Sequence, residues 1–395
     1  MDRSIREAVA RDLATKIVLI SGPRQCGKTT LAKMLSPSFD CLNYDFPEHR
    51  VAIRERSWDR GKALVIFDEL HKMKGWKAWL KGIYDVDGIP PALVVTGSAR
   101  LDAARKDGES MAGRYFAHRL HPLDVKEVAS SVPADDALSR LMEVGGFPEP
   151  FLQNDRDFYA RWRRTHLDII VRQDLVDLGA VRQISGVETL LVLLRDRVGS
   201  TVSHANLARD LGVDPKTVTL WLEILESLYV VFSLSPYTRH VSRSLLKAKK
   251  YYFYDTGQVG GDPGARLENV IACALLKEAH RVEDQTGAKV GLHYLRTKDG
   301  REVDFVVTVD GVVTHLVEAK HKAPEPSPAL RALVAQIGAR ASTIQLVKEL
   351  DRERTYPDGI EVRRAAAWLS TLDLTKVAKD SGPQPPADLF VHHPH

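Results

Sequence analysis

Hydrophobic and polar positions follow two kinds of spacing along the chain. In the first third, three short runs rich in β-branched residues lie at Lys16 to Ser21, Ala63 to Asp68 and Ala92 to Thr96, separated by longer polar or amphipathic stretches. Such runs predict buried strands, and the stretches between them predict helices that connect parallel neighbours. We therefore predict a mixed α/β fold whose first part is built on a parallel sheet.

The rest of the chain is divided by two clusters of glycine and proline, at residues 145–148 and 260–264. Between about Leu120 and Arg197 the apolar positions recur with helical spacing. Beyond the second cluster, a helical stretch is followed by three alternating runs, and Asp310-Gly311 supplies a hairpin turn signal between the last two. A small α/β domain that contains a hairpin is therefore predicted for the C-terminal part.

Composition narrows the class of protein. Of 395 residues, 44% are hydrophobic and 27% are charged, which excludes a disordered or collagen-like chain and, at roughly 150 residues per domain, favours two or three domains. The three cysteines have no paired spacing, so neither a disulfide framework nor a cysteine zinc site is indicated, and a reducing cytoplasm is expected. We expect no export signal and no membrane span. The net charge of +4 means that any nucleic-acid surface is a local patch.

A phosphate-binding pattern follows the first predicted strand. Residues 22–29 fit GxxxxGK[ST] in full and lead into a helix-compatible stretch. In this pattern the glycines let backbone amides surround phosphates, the lysine reaches the β and γ oxygens, and the hydroxyl holds Mg²⁺. The predicted ATP-binding residues are Gly22, Pro23, Arg24, Gln25, Cys26, Gly27, Lys28, Thr29 and Thr30.

Acidic and polar residues follow the next two strands. Asp68 ends the second apolar run and is predicted to hold Mg²⁺ together with Thr29, while the adjacent Glu69 is predicted to orient and deprotonate the attacking water. After the third run, Thr96 or Ser98 is a candidate sensor between water and γ-phosphate. Spacing alone does not choose among Arg100, Arg114 and Arg119 as an arginine that stabilises the transition state.

The ordered motifs GPRQCGKTT, VIFDEL, VVTGSAR, AGRYF with HPLDVKE, GGFPEP and YYFYDTG resemble the predicted AAA+ ATPases of bacteria and archaea that carry a C-terminal domain of unknown function. The resemblance runs from about Ile17 to Lys320. It implies that Lys28 and Thr29 form Walker A, that Asp68 and Glu69 form Walker B, and that Ser98 and Arg114 are the sensor-like residue and the arginine finger. It also implies a ring, commonly a homo-hexamer, with the site at the subunit junction. A sensor-2 arginine is not identifiable.

Residues 203–228 predict two short helices with the spacing of a helix-turn-helix, broken at Gly212, and the strand Tyr229 to Leu234 that follows suggests a winged variant. Residues 237–254 then carry five cations and no acid. We predict double-stranded or branched DNA as a partner, and a protein-docking or purely structural role is the alternative. The predicted DNA contacts are Lys216, Thr217, Thr219, Arg239, Arg243, Lys247, Lys249 and Lys250.

Carboxylates recur on the predicted C-terminal hairpin. Asp304 lies on one strand, and Glu318 and Lys320 share a face of the next, an arrangement suited to Mg²⁺-assisted phosphodiester cleavage. It resembles the PD-(D/E)xK nucleases, which implies Asp304 and Glu318 as metal ligands, Lys320 beside them, and Glu268 as an additional acid. Salt-bridged strand ends would have the same pattern, so cleavage is an open alternative.

Together these motifs predict an ATP-hydrolysing, DNA-binding AAA+ motor that translocates on or remodels DNA, with an ATP-gated endonuclease and an ATPase switch for a protein partner as alternatives. The predicted segments are an ATPase core at 1–125, a helical lid or connector at 126–184, a winged helix-turn-helix at 185–258, a nuclease-like domain at 259–375 and a flexible tail at 376–395.

Overall fold

A computed structural model of the protein describes residues 2–97, 111–170, 184–238, 248–297, 300–337 and 341–375. The strands of these residues form three sheets. The chain divides into two compact units. The first comprises Met1–Leu123 with two short segments, Phe147–Glu149 and Ser227–Tyr229, and the second comprises the remainder. No helix in the described segments is long and apolar enough to cross a membrane.

The strands are β1 (Ile17–Ser21), β2 (Phe39–Asn43), β3 (Leu64–Asp68), β4 (Ala92–Gly97), β5 (Tyr115–Arg119), β6 (Thr201–Val202), β7 (Val231–Leu234), β8 (Lys249–Phe253), β9 (Val290–Arg296), β10 (Glu302–Val309), β11 (Val312–Lys320), β12 (Ser342–Val347), β13 (Arg354–Thr355) and β14 (Ile360–Arg364). The helices are α1 (Arg6–Asp12), α2 (Lys28–Lys33), α3 (Pro47–Glu55), α4 (Trp76–Asp87), α5 (Val125–Val128), α6 (Ala134–Val144), α7 (Pro148–Gln153), α8 (Arg156–Ile169), α9 (Ile184–Arg195), α10 (His204–Leu211), α11 (Pro215–Ser227), α12 (Pro263–Thr286), α13 (Pro328–Ile337) and α14 (Ala365–Ser370).

The first unit is built on a five-stranded sheet in the order β2-β3-β4-β1-β5. Every neighbouring pair is parallel, which confirms the predicted parallel α/β arrangement. All five residues of β1 and of β3 are buried, because helices cover both faces of such a sheet. Since β4 lies between β1 and β3, the carboxyl ends of these strands meet at one edge.

The second unit contains the other two sheets. One is the antiparallel sheet β6-β8-β7, in which β6 precedes the helices α10 and α11 along the chain and β7 and β8 follow them. The six-stranded sheet has the order β13-β14-β12-β11-β10-β9, in which β11, β12 and β14 are parallel and β9, β10 and β11 are antiparallel. The predicted hairpin between β10 and β11 is confirmed, because Asp310 and Gly311 both have the positive φ of a two-residue turn (48° and 82°).

Candidate functional site

The loop between β1 and α2 folds into a cradle. Gly22 has a positive φ, and a Cβ there would overlap the carbonyl oxygen of Leu120, so only glycine fits. Gly27 precedes α2 in the left-handed region. The buried ammonium of Lys28 donates to the carbonyl oxygens of Gly22 at 3.0 Å and of Pro23 at 2.6 Å. The lysine is therefore folded over the loop whose amides the sequence assigns to phosphate binding.

A buried arginine outside the motif fastens this loop. Arg3 donates from Nη1 to the carbonyl oxygen of Cys26 at 2.8 Å, and from Nη2 to the carbonyl oxygen of His121. Arg3, which is 8% exposed, thus joins the phosphate loop to the segment after β5. Sequence reasoning missed Arg3, because its role depends on contacts with residues far along the chain.

Asp68 lies at the centre of a polar network at the carboxyl edge of the sheet. Its Oδ2 accepts hydrogen bonds from the Thr29 hydroxyl at 3.0 Å and from the Asn43 amide at 3.1 Å, and its Oδ1 accepts one from the Thr96 hydroxyl. The structure therefore brings together Thr29 and Asp68, whose hydroxyl and carboxylate oxygens fit a hard cation such as Mg²⁺. Asn43 was not predicted, because the half-buried pattern of β2 gave no signal for a strand.

Glu69 follows Asp68 in a left-handed conformation, with φ 56°. Its Oε2 lies 3.5 Å from Lys72 Nζ and 3.7 Å from His71 Nε2, and it makes no hydrogen bond. Burial raises the pKa of the Glu69 carboxyl, while Lys72 and Lys28 oppose that change. A raised pKa makes the carboxylate a stronger base, which suits proton removal from water.

Of the two other predicted catalytic residues, the structure describes only Arg114. Ser98 lies outside the described residues. Arg114 directly precedes β5, which is parallel to β1 and starts beside Ile17, so the arginine lies at the edge of the sheet opposite the phosphate loop. The length of β1, about 13 Å at the usual rise per residue, separates the two. Arg114 pairs instead with Asp85, through contacts of 2.6 and 3.1 Å.

The predicted DNA-reading helices are formed. Ser203 caps α10 by accepting from the Asn206 amide, and the helix ends at Gly212 in the left-handed region. At the start of α11, Lys216 is exposed and Thr217 is half-buried. The Thr219 hydroxyl is bound within the fold, donating to the Pro215 carbonyl oxygen at 3.1 Å and lying 2.9 Å from His204 Nδ1.

In the basic segment, residues 237–254, the structure contradicts the prediction for Lys250. Arg239, Arg243 and Lys247 lie outside the described residues, and Lys249 is half-buried. The side chain of Lys250 is 1% exposed. It lies on β8, the central strand of its sheet. The prediction that Lys250 contacts DNA is therefore wrong, because this ammonium is withdrawn from solvent and paired with carboxylates inside the second unit.

Lys250 instead contacts two of the predicted nuclease carboxylates, Glu268 and Asp304, together with Glu302, which was not predicted. Its Nζ lies 2.6 Å from Glu302, 3.3 Å from Glu268 and 3.7 Å from Asp304. Burial acts to lower the pKa of Lys250, but the three carboxylates outweigh it and raise that pKa. Glu318 Oε1 lies 2.7 Å from Lys320 Nζ.

Burial also raises the pKa of Glu268 and of Glu318 to about 7. Within the described segments, no three His, Cys, Asp or Glu side chains are placed to hold a metal ion. That Asp304 and Glu318 hold Mg²⁺ as a pair stays a prediction.

The second unit also has a basic cavity of about 720 Å³ at the carboxyl ends of β11, β12 and β14. Lys322 pairs with Glu349 at its rim, at 2.7 Å. The charged residues that line it are Lys322, Lys348, Arg352, Arg354, Arg364, Asp135, Glu349 and Asp351. Five cations against three acids leave the lining with a positive excess.

Comparison with known families gives the class of the first unit. Residues 14–129 match the sequence profile of the AAA domain family, residues 135–260 match a domain of unknown function (DUF8612), and residues 263–365 match another (DUF4143). The chain therefore carries an AAA-type domain followed by two segments whose families have no assigned function. The predicted AAA-type domain and the C-terminal domain of unknown function are confirmed at this level.

The relatives that match most of the chain do not indicate an activity for it. An uncharacterized protein of Mycobacterium tuberculosis is 28% identical over 305 residues, covering 75% of this chain and 68% of the relative. One of Methanocaldococcus jannaschii is 24% identical over 337 residues, covering 76% and 74%. Among solved structures, a RuvB variant of Thermotoga maritima matches with TM-score 0.30 at 15% identity, covering 58% of this chain and 88% of that one. A STAND ATPase of Pyrococcus horikoshii matches with TM-score 0.24 at 14% identity, covering 72% and 48%. Scores this low do not establish a shared fold.

Proposed function

We propose that the first unit binds ATP with Mg²⁺ and hydrolyses it. The observation that carries this proposal is the hydrogen bond between Thr29 and Asp68, beside the Lys28 ammonium at one edge of the parallel sheet. The loop amides and Lys28 would bind the β and γ phosphates. Thr29 and Asp68 would hold Mg²⁺, which would neutralise phosphate charge. Asn43 and Thr96 orient Asp68 for that task.

Glu69 is the base of this proposal. Its raised pKa favours taking a proton from water that attacks the γ-phosphate, and its proximity to Lys72 keeps the carboxylate in one orientation. Proton transfer to a positioned carboxylate contributes about 10²- to 10⁴-fold in rate.

Arg114 is proposed to act on the site of a neighbouring subunit. Its position at the opposite edge of the sheet prevents it from reaching the phosphate loop of its own chain. The exposed pair with Asp85 contributes little stability, so exchanging Asp85 for a phosphate in an assembled ring costs little. We propose a homo-hexamer in which each arginine completes the next site.

The nucleotide site is tested by Lys28→Ala, with Lys33→Ala as a control on the same helix, where the side chain is exposed. Loss of a charged donor to phosphate costs about 1.5–3 kcal/mol, so Lys28→Ala should weaken ATP binding about 10- to 100-fold in a fluorescent-nucleotide titration. Lys33→Ala should bind as wild type. Equal affinities for wild type and Lys28→Ala would refute the phosphate site.

We further propose that the second unit binds DNA, so that ATP hydrolysis drives translocation on DNA or its remodelling, including forked or branched forms. Exposed Lys216 at the start of α11 and the positive cavity at the carboxyl ends of β11, β12 and β14 support an anionic partner. The winged helix-turn-helix assignment is part of this proposal and rests on α10, α11 and the antiparallel sheet of β6, β7 and β8.

A docking surface for a protein partner is the second candidate, favoured by one observation: Leu220 on α11 is 45% exposed. The ATPase rate measured with duplex, single-stranded, forked and four-way DNA separates the two. Stimulation by any of these supports the DNA proposal, and indifference to all of them supports a protein partner.

The DNA contact itself is tested by Lys216→Glu, with Lys289→Glu as a charge-matched control at another exposed lysine. Loss of one phosphate contact should weaken binding and reduce the dependence of log affinity on log salt by about one. The Lys289 variant should keep the wild-type salt slope. An unchanged slope in Lys216→Glu would remove α11 from the interface.

A further inference from the structure

We infer that the ammonium of Lys250 is a permanent internal counter-ion that takes the place of a divalent metal in the acidic cluster of the second unit, so that this cluster carries no metal-dependent cleavage. The acidic cluster is defined by Glu268 on α12, Glu302 and Asp304 on β10, and Glu318 on β11. The inference concerns a site other than the ATP site, and it removes the endonuclease alternative.

The first step is the position of the ammonium. Lys250 Nζ lies within 3.7 Å of carboxylate oxygens from Glu268, Glu302 and Asp304, which is the central position among these three acids. The ammonium also lies 5.5 Å from the centroid of the Tyr294 ring, within the range of a cation–π contact. A positive charge thus already occupies the place where the carboxylates would converge on a cation.

The second step is that one oxygen of each predicted nuclease carboxylate already has a partner. Asp304 Oδ2 accepts a hydrogen bond from the Ala319 amide at 2.9 Å, and Glu318 Oε1 is paired with Lys320 at 2.7 Å, while the buried Glu318 Oε2 has no hydrogen-bond partner. Mg²⁺ requires oxygens at about 2.0–2.1 Å in octahedral geometry. A divalent ion on Asp304 would lie next to the Lys250 ammonium, and repulsion between two close, buried cations opposes its binding.

The third step is that the strand fixes the lysine. β8 is hydrogen-bonded on both sides, with Lys250 opposite Thr201 and Leu234. Two residues further along the strand, the Tyr252 hydroxyl donates to Glu268 Oε1 at 2.7 Å.

The Asn269 side chain adds a second connection between β8 and α12, because it binds both the amide and the carbonyl oxygen of Phe253, at 2.8 and 2.9 Å. Strand and helix are therefore joined at Glu268, the carboxylate partner of Lys250, and at the adjacent Asn269, so the ammonium is held in place as a structural group.

The test is metal binding by nucleotide-free, full-length protein, measured by calorimetric titration with Mn²⁺ and by the melting temperature with and without Mn²⁺. Wild type should show no Mn²⁺ binding in the second unit and no change in melting temperature. Lys250→Met keeps the aliphatic stem and leaves the carboxylates without a counter-ion. It should melt at lower temperature, bind Mn²⁺ at least an order of magnitude more tightly than wild type, and regain melting temperature when Mn²⁺ is added.

Two further variants keep the test decisive. Lys250→Met with Asp304→Asn should lose the gained Mn²⁺ binding. If Lys250→Met does not fold without metal, Lys250→Met with Glu302→Gln removes part of the charge and should fold and bind Mn²⁺. Lys249→Met, at the neighbouring lysine, should match wild type in Mn²⁺ binding and in melting temperature. Wild-type Mn²⁺ binding that Asp304→Asn abolishes would overturn the inference, as would a folded Lys250→Met protein that binds no Mn²⁺. Neither result depends on ATP hydrolysis or DNA binding.

Discussion

Asp255 gives the second unit a defined dependence of stability on pH. This buried aspartate follows β8, is 2% exposed, and accepts a hydrogen bond from the Tyr159 hydroxyl at 2.9 Å. Burial raises the pKa of Asp255 from 3.8 to about 6, against the lowering effect of the Tyr159 hydrogen bond. The folded state therefore binds this proton more tightly than the unfolded state, and the stabilisation is lost as pH rises from about 4 to about 6.

The magnitude follows from the size of the shift. A difference of about two pKa units corresponds to about 3 kcal/mol. Asp255→Asn keeps the shape and the acceptor for Tyr159 but cannot ionise. The free energy of unfolding of the variant relative to wild type should therefore rise by up to about 3 kcal/mol between pH 4 and pH 6.5, and then stay constant. Other buried acids titrate in both proteins, so their effects cancel in the difference.

The assay is urea denaturation at a series of pH values, with Asp136→Asn as a control at an exposed position on α6. The difference between the control and wild type should not vary with pH. A difference between Asp255→Asn and wild type that stays constant across this window, or that falls as pH rises, would refute the claim that burial controls the ionisation of Asp255.

Three further predictions concern the first unit. Gly22→Ala should lower the free energy of unfolding by at least about 2 kcal/mol and abolish ATP binding, because its Cβ overlaps a backbone oxygen; wild-type melting and affinity would contradict the cradle. Arg3→Met removes the donor to two backbone carbonyl oxygens, so it should raise the KM for ATP and cost about 2–4 kcal/mol of stability. An unchanged KM would show that the loop does not need this anchor. Arg114→Ala should retain ATP binding but lose turnover by about a thousandfold; normal turnover in the assembled protein would exclude it as the finger.

Local patterns were sufficient to predict which residues meet in the proposed nucleotide site, because its parts lie at strand ends. Three apolar runs predicted parallel strands, and the carboxyl ends of parallel strands share an edge, so Thr29 and Asp68 were expected to meet and do so at 3.0 Å. The Asp310-Gly311 turn was equally local, since two positive φ angles select these residue types.

Contacts between distant segments could not be predicted from those patterns. Lys250 stands in a run of basic residues, which is the pattern of an exposed surface, yet its partner Glu302 lies 52 positions later on another sheet. The position of Arg3 beneath the phosphate loop depends on a similar long-range contact with the His121 carbonyl oxygen. These contacts depend on how elements far apart in the sequence pack against one another. The local spacing of apolar and polar residues contains no information on that packing.

The central claim is that this chain hydrolyses ATP with Glu69 as the base, and phosphate release by wild type and Glu69→Gln at saturating ATP tests it most directly. The carboxamide keeps the size of the side chain but cannot accept the proton. The account predicts steady turnover by wild type, unchanged ATP affinity in the variant, and a rate at least about 100-fold lower. Equal rates of phosphate release, or no turnover by wild type in any assembled or DNA-bound form, would contradict it.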